Sequence, residues 1–388
     1  MPVITTIEDL RRLYERRVPR MFYDYAESGS WTEQTFHDNS ADFKDIRLRQ
    51  RVAVDMDGRS TATQMLGQDV AMPVALAPVG LTGMQHADGE MKAAKAAEEF
   101  GVPFTLSTMS INSIEDVAEY TTTPFWFQLY TMKDQDYINR LIQRAKDAKC
   151  SALVITLDLQ VLGQRHKDLK NGLSAPPKLT PKTIANLMTK WSWGIEMLGA
   201  KRREFGNIVG HAKGVTDASS LGAWTAEQFD PSLDWKKVEK LMEQWGGKVI
   251  LKGILDAEDA KMAAKLGADA IVVSNHGGRQ LDGALSSIRM LPEIMDAVGG
   301  DLEVHLDSGI RSGQDILKAL ALGASGTYIG RAFVYGLGAM GQKGVTTALE
   351  VIQKELDTTM ALCGERHVND LGRHNLLVPE DFGGRWQS

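Results

Sequence analysis

Only two cysteines, Cys150 and Cys363, occur in 388 residues. They are too few for a disulfide framework and point to a reducing, cytoplasmic compartment. Cys150 stands just before an apolar run and reads as a small buried residue. Basic charge is not in excess. The formal net charge is -6 and the isoelectric point is near 5.8, which argues against nucleic acid as a partner. No run approaches the roughly 18 apolar residues of a membrane span, so no integral membrane helix is expected. The stretch 1–17 has no uninterrupted apolar segment and reads as an amphipathic helix, not a signal peptide. No G-x-G-x-x-G opens the first strand–helix unit, which weighs against a doubly wound dinucleotide fold.

What is present is a periodic series of short apolar runs. They are Val74–Pro78, Pro103–Ser107, Phe125–Tyr130, Ala152–Asp158, Lys248–Gly253, Ala270–Asn275, Glu303–Ser308 and Gly326–Arg331. Their starts lie 22 to 33 residues apart, with one gap of 96 between the fourth and fifth. Helical patterns such as 88–100 and 257–266 separate them, and Gly101, Gly267 and Gly323 stand where such helices would end. Eight near-continuous apolar strands alternating with helices predict a parallel (β/α)8 TIM barrel. An open doubly wound sheet is the alternative. The chain 1–388 reads as one domain. It has a helical lead-in over 1–65, a barrel over 66–344 with an insertion at about 160–245, and a closing helix and tail over 345–388.

Such a barrel carries its chemistry where strands end. The ends here are polar: Ser107 after the second strand, Gln128 and Tyr130 on the third, Thr156 and Asp158 on the fourth. Gln128 and Tyr130 are two apart and share a face, as do Thr156 and Asp158. Lys252 follows an apolar run, and a buried ammonium needs an anion or a polar cofactor group opposite it. The sixth strand runs into Ser274, His276 and Arg279. Each residue alone has a plain structural reading: a helix cap, a satisfied histidine, an ordinary strand threonine. Their convergence on one rim favours function. Asp307-Ser308-Gly309-Ile310-Arg311 and Gly330-Arg331 follow the seventh and eighth strands. There, barrels of this kind hold phosphate on backbone N–H groups and a helix N-terminus. A phosphorylated cofactor is expected, and no metal.

These motifs carry a resemblance. Together with Tyr23-Asp24-Tyr25-Ala26, Ala77-Pro78-Val79-Gly80, Phe127-Gln128-Leu129-Tyr130, Lys252-Gly253 and the SNHGGRQLDG block Ser274–Gly283, the chain resembles the FMN-dependent 2-hydroxy acid oxidoreductases. Within them it is most similar to the bacterial quinone-linked L-lactate dehydrogenases. The resemblance implies FMN as cofactor and oxidation of an L-2-hydroxy acid, with L-lactate to pyruvate as the expected reaction. It implies His276 as the base and Asp158 as its partner, with Tyr25, Tyr130, Arg165 and Arg279 on the substrate. For the flavin it implies the backbone of Pro78, Val79 and Gly80, the side chains of Ser107, Gln128, Thr156 and Ser274, and Lys252 at the ring edge. Asp307, Ser308, Gly309, Ile310, Arg311, Gly330 and Arg331 are implied at the phosphate. It also implies a homo-oligomer.

The electron acceptor is the open point. Gly80 stands where oxidases of the family usually carry alanine, which leans toward a dehydrogenase that hands electrons to quinone or another external acceptor. An oxygen-using oxidase is the alternative, and a non-redox flavin isomerase a weaker one. Met109 stands where a bulkier residue is common, which leaves room for a small side chain such as that of lactate. Thr180-Pro181 reads as a helix start. Ile184, Leu187, Met188, Trp191, Ile195 and Leu198 then recur at helical spacing among Lys178, Lys182, Lys190, Lys201, Arg202 and Arg203. Such a segment suits a peripheral membrane contact over 180–203. A lid helix packed on its own barrel is the competing reading.

Overall fold

The computed structural model describes residues 3–173, 180–212, 215 and 228–383. All eight expected strands form: β1 Val74–Leu76, β2 Thr105–Ser107, β3 Trp126–Tyr130, β4 Ala152–Thr156, β5 Lys248–Ile254, β6 Ala270–Val273, β7 Glu303–Leu306 and β8 Gly326–Ile329. Neighbours pair in parallel from β2 round to β8, and β8 pairs with β1. A parallel bridge from Leu76 to Phe104 joins β1 to β2, so the ring closes as a TIM barrel. Every residue of β3 and β4 is buried, because helices cover the sheet outside and side chains fill it inside. Trp126, Val154, Ile250 and Tyr328 belong to the inner cluster. Gly101, Gly267 and Gly323 lie at φ 84°, 77° and 115°, the left-handed conformation that ends the preceding helices.

The lead-in folds as helices Ile7–Arg17, Arg20–Glu27 and Gln34–Ala41. It is fastened to the loop after β6. The Asn39 and Asn275 side-chain amides bond reciprocally at 2.8 and 2.7 Å, and Asp282 Oδ2 accepts the Thr32 amide at 2.8 Å. At the far end of the chain, helix Gln342–Cys363 packs against the helix Arg331–Met340 that follows β8.

The insertion between β4 and β5 corrects one expectation. Thr180 does cap a helix, Pro181–Thr189, its Oγ1 accepting the Thr183 amide. The amphipathic run then breaks at Lys190 and restarts as Trp191–Leu198. Lys190 Nζ donates to the carbonyls of Glu15 and Arg16 at the C-terminus of the first helix, which favours a cation there. Lys182 is exposed, but Lys201, Arg202 and Arg203 are drawn into pairs and carbonyl contacts. Lys201 pairs with Asp116 and Glu119 at 3.0 and 2.9 Å, Arg202 pairs with Asp116, and Arg203 bonds the carbonyls of Met197 and Leu198. Lys201 and Arg202 tie the insertion to the barrel, while Arg203 closes the end of its second helix. Lys178 lies outside the described residues. The apolar row itself is exposed: Met188, Trp191, Ile195 and Leu198 are 77%, 71%, 62% and 74% exposed.

Candidate active site

A cavity opens at the C-terminal ends of the strands. The loop after β1 lines it with Pro78, Val79 and Gly80. Tyr130, Thr156 and Lys252 line it from β3, β4 and β5. His276 and Arg279 come from the loop after β6, and Arg165 from the insertion. Asp307, Ser308, Gly309, Ile310 and Arg311 come from the loop after β7, and Gly330 and Arg331 from the end of β8. The lead-in contributes Tyr25. Ser107, Gln128, Asp158 and Ser274 stand behind this wall and brace it.

The bracing is a set of short hydrogen bonds. Ser107 Oγ donates to Gln128 Oε1 at 3.1 Å, and Gln128 Nε2 donates to Thr156 Oγ1 at 2.9 Å. Ser274 Oγ accepts from Lys252 Nζ at 2.9 Å and donates to Asp307 Oδ2 at 3.1 Å. Lys252 Nζ and Asp307 Oδ2 form an ion pair at 2.7 Å, with the lysine 4% exposed. Burial pushes the Asp307 carboxyl up. The Lys252 charge and the hydrogen bonds around it outweigh that and hold it below its ordinary value.

His276 lies at φ 58°, with Gly277 at 68° and Gly278 at 72°. A side chain is rare in that region, and the turn stores strain at the rim. Both glycines are required. A Cβ on Gly277 would meet Arg331 Nη1 at 2.7 Å, and one on Gly278 would meet the Phe36 amide nitrogen at 2.5 Å. The turn brings His276 Nδ1 to 2.9 Å from Asp158 Oδ1. An ionised Asp158 places the imidazole proton on Nδ1 and leaves Nε2 with its lone pair. Burial lowers the His276 pKa, Asp158 partly offsets this, and the ring is held neutral in the free site. Its ring stacks on Tyr130, 6.4 Å between centroids. Burial raises the Tyr130 phenol, which keeps its proton.

Two guanidinium groups face the same cavity. Arg279 Nη1 donates to the carbonyls of Tyr25 and Ser28, and its plane covers the Tyr25 ring at 4.7 Å. Its Nη2 is buried without a partner among the described residues. Burial pulls Arg279 down to about 10, which leaves it a cation at neutral pH. Arg165 Nη1 is 3.6 Å from Asp168 Oδ2. Two buried or half-buried cations beside an unpaired donor suit an anionic ligand.

The loop after β7 offers fewer free amides than its sequence implies. The Ser308, Arg311 and Gly313 amides donate to Asp307, Asp315 and Glu355. By contrast, helix Arg331–Met340 starts at Gly330 with no side-chain cap. Its N-terminus is the better anion seat. Arg331 itself reaches backwards, donating to the carbonyls of Ala26, Gly277 and Ser28 at 2.7, 2.9 and 3.0 Å. Phe205 and Phe229 of the insertion also line the cavity, as do Met109 and Leu162. No local pattern marks the two phenylalanines, because folding alone brings them there. Gln280 was readable only as part of its motif. Its Nε2 donates to the carbonyls of Asp158 and Val161, tying the loop after β4 to the loop after β6.

Comparison with known sequences decides the family. The profile described as FMN-dependent dehydrogenase matches residues 14–378. The chain belongs to the FMN-dependent dehydrogenase family. It is 45% identical over 376 residues to an L-lactate dehydrogenase of Actinobacillus pleuropneumoniae serotype 5b, covering 97% of this chain and 98% of that one. An L-lactate dehydrogenase of Vibrio cholerae serotype O1 is 44% identical, with 97% and 99% covered. Among solved structures, the monotopic membrane protein (S)-mandelate dehydrogenase superposes with TM-score 0.93 at 34% identity, covering 97% of this chain and all of that one. A mandelate oxidase superposes with TM-score 0.81 at 35% identity, covering 97% and 98%.

FMN is accordingly the cofactor of this dehydrogenase, and the cavity fits it. Lys252 presents a buried ammonium at the floor and the uncapped helix N-terminus an anion seat. At Gly80 a Cβ would come within 2.9 Å of the Tyr25 hydroxyl and 3.2 Å of Met109 Cβ, so glycine keeps the space over the β1 loop open.

Proposed function

We propose that this dehydrogenase oxidises L-lactate to pyruvate and passes the electrons to quinone or another external acceptor. The observation that carries the reading is the His276–Asp158 pair at 2.9 Å, sharing one cavity with Arg165 and Arg279. FMN, when bound, supplies the two-electron acceptor that this oxidation needs. Arg165 and Arg279 hold the substrate carboxylate, the task for which a planar guanidinium is suited. The Tyr25 and Tyr130 hydroxyls complete recognition. His276 Nε2 takes one of the two protons that leave, and Asp158 stabilises the imidazolium and fixes the ring. Lys252 offsets negative charge at the flavin edge. Pro78, Val79 and Gly80, with Thr156, hold the ring and ribityl chain, and Ser107, Gln128 and Ser274 brace them from behind. The helix N-terminus at Gly330-Arg331, with Gly309, Ile310 and Arg311 beside it, holds the phosphate end, and Ser308 and Asp307 shape the loop. The relatives named L-lactate dehydrogenase at 44–45% identity support the choice of lactate.

The same proposal places the protein on the cytoplasmic face of the cell membrane. No helix among the described residues is long and apolar enough to cross a membrane. The exposed row Met188, Trp191, Ile195 and Leu198 suits a contact that enters only the interface. A solved relative that is monotopic supports it.

Anaerobic mixing of the purified holoprotein with L-lactate, glycolate and L-mandelate tests the reading. Loss of the yellow flavin colour with L-lactate is expected. Retention of colour with all of them would sink it. Return of the colour on adding a quinone analogue, and not on adding oxygen, identifies the acceptor class.

A further inference from the structure

The described part of the insertion is mostly exposed or half-buried, yet Asn207 within it is fully buried. Its side chain makes three hydrogen bonds. Oδ1 accepts the Ile114 amide at 3.0 Å and Arg144 Nη2 at 3.1 Å, while Nδ2 donates to Ser110 Oγ at 2.9 Å. Its carbonyl accepts the Tyr137 hydroxyl at 3.0 Å. One residue earlier, the Gly206 amide donates to the Ile111 carbonyl at 3.0 Å. The two backbones run so close that a Cβ on Gly206 would lie 2.7 Å from that oxygen. The insertion is therefore bolted at Gly206-Asn207 to the loop after β2.

That loop begins with Met109, and the residue before the bolt is Phe205. Both line the cavity, whereas Asn207, Gly206 and Ser110 do not. From the barrel side, Glu90 is buried and accepts the Ile111 amide at 3.0 Å, so the loop is held on two sides and cannot yield to a displaced insertion. Two apolar residues of the wall, 96 positions apart, thus have their separation set by the Asn207 side chain and the Gly206 amide.

We propose that Asn207 is a positioning residue for substrate selectivity. It holds Phe205 beside Met109 and thereby sets how large a 2-hydroxy acid side chain the cavity accepts. The inference rests on the oxidation proposed above. With Phe205 held, a bulky side chain meets the ring; with it released or truncated, the bulky acid gains relative to lactate.

The test compares kcat/KM for L-lactate and L-mandelate in the wild-type holoprotein, Phe205→Ala, Asn207→Ala and the double variant. Phe205→Ala is expected to shift the ratio toward L-mandelate by about 10-fold, the scale on which a pocket wall discriminates side chains. Asn207→Ala should shift it the same way, and the double variant should add little beyond the larger single effect. Equal losses on both acids in Asn207→Ala, or additive shifts in the double variant, would overturn the proposal. Should Asn207→Ala not fold, Ser110→Ala removes one of its bonds, together with the bond from the Ser110 hydroxyl to the Asn112 carbonyl, and should give a smaller shift in the same direction. An unmoved ratio there also overturns it. Wild-type flavin bleached by neither acid defeats the catalytic reading itself. Wild type bleached by L-lactate with an unmoved ratio in the variants defeats the inference about Asn207 alone.

Discussion

Asp158 reaches His276 because residue 253 is glycine: a Cβ there would stand 2.6 Å from Asp158 Cγ. Gly253 also lies at φ 101°, a conformation side chains rarely adopt. Gly253→Ala is expected to push the carboxylate off the imidazole. It should lower kcat in the same manner as Asp158→Asn, by about 10-fold to 100-fold, and reduce stability by about 1–3 kcal/mol. Steady-state rates and thermal melts of the two variants check this. A Gly253→Ala enzyme with wild-type kcat contradicts the role given to Asp158.

The pH dependence has a definite sign. The base must be neutral in the free enzyme, so kcat/KM rises with pH through the His276 pKa. Burial sets that pKa below the ordinary imidazole value of 6.5, so the acid limb should fall below it. Asp158 is the group that raises it, so Asp158→Asn should move the limb lower still while reducing the plateau. The same histidine affects stability. It binds its proton less readily folded than unfolded, so stability is present above the unfolded value and is lost as pH falls through that value toward the folded one. A pH–rate profile with its acid limb above 6.5 would contradict the downward shift that burial gives His276.

The exposed apolar row predicts a separable loss. Met188→Glu with Trp191→Glu should abolish co-sedimentation with phospholipid vesicles and leave L-lactate turnover with a soluble acceptor unchanged, because neither residue touches the cavity. Trp193, by contrast, faces inward, its indole N–H donating to the Met84 carbonyl at 2.9 Å. Unaltered sedimentation of the double variant would rule out this row as the membrane contact.

The barrel is legible in sequence because its strands are buried on both faces and read as short continuous apolar runs. The rim is legible because polar residues at strand ends, such as Lys252 and His276, break those runs where a packed interior would not tolerate them. The insertion is not. Its apolar spacing is continuous through Lys190, and the break comes from the carbonyls of Glu15 and Arg16, which no local periodicity contains. Phe205 reaches the cavity because its neighbours Gly206 and Asn207 bond Ile111 and Ser110, far from them in the chain. Arg331 occupies the position expected of a phosphate ligand, yet its hydrogen bonds go to the lead-in and to Gly277. Each of these depends on a long-range docking partner, and sequence pattern reports only the near neighbourhood.

In the proposed reaction His276 removes a proton from a bound L-2-hydroxy acid. Anaerobic stopped-flow reduction of the His276→Asn holoprotein by L-lactate tests it most directly. The variant should retain bound yellow FMN, since His276 stands at the substrate side of the site, and its flavin should bleach about 100-fold to 10,000-fold more slowly than wild type. Bleaching at the wild-type rate would contradict the account.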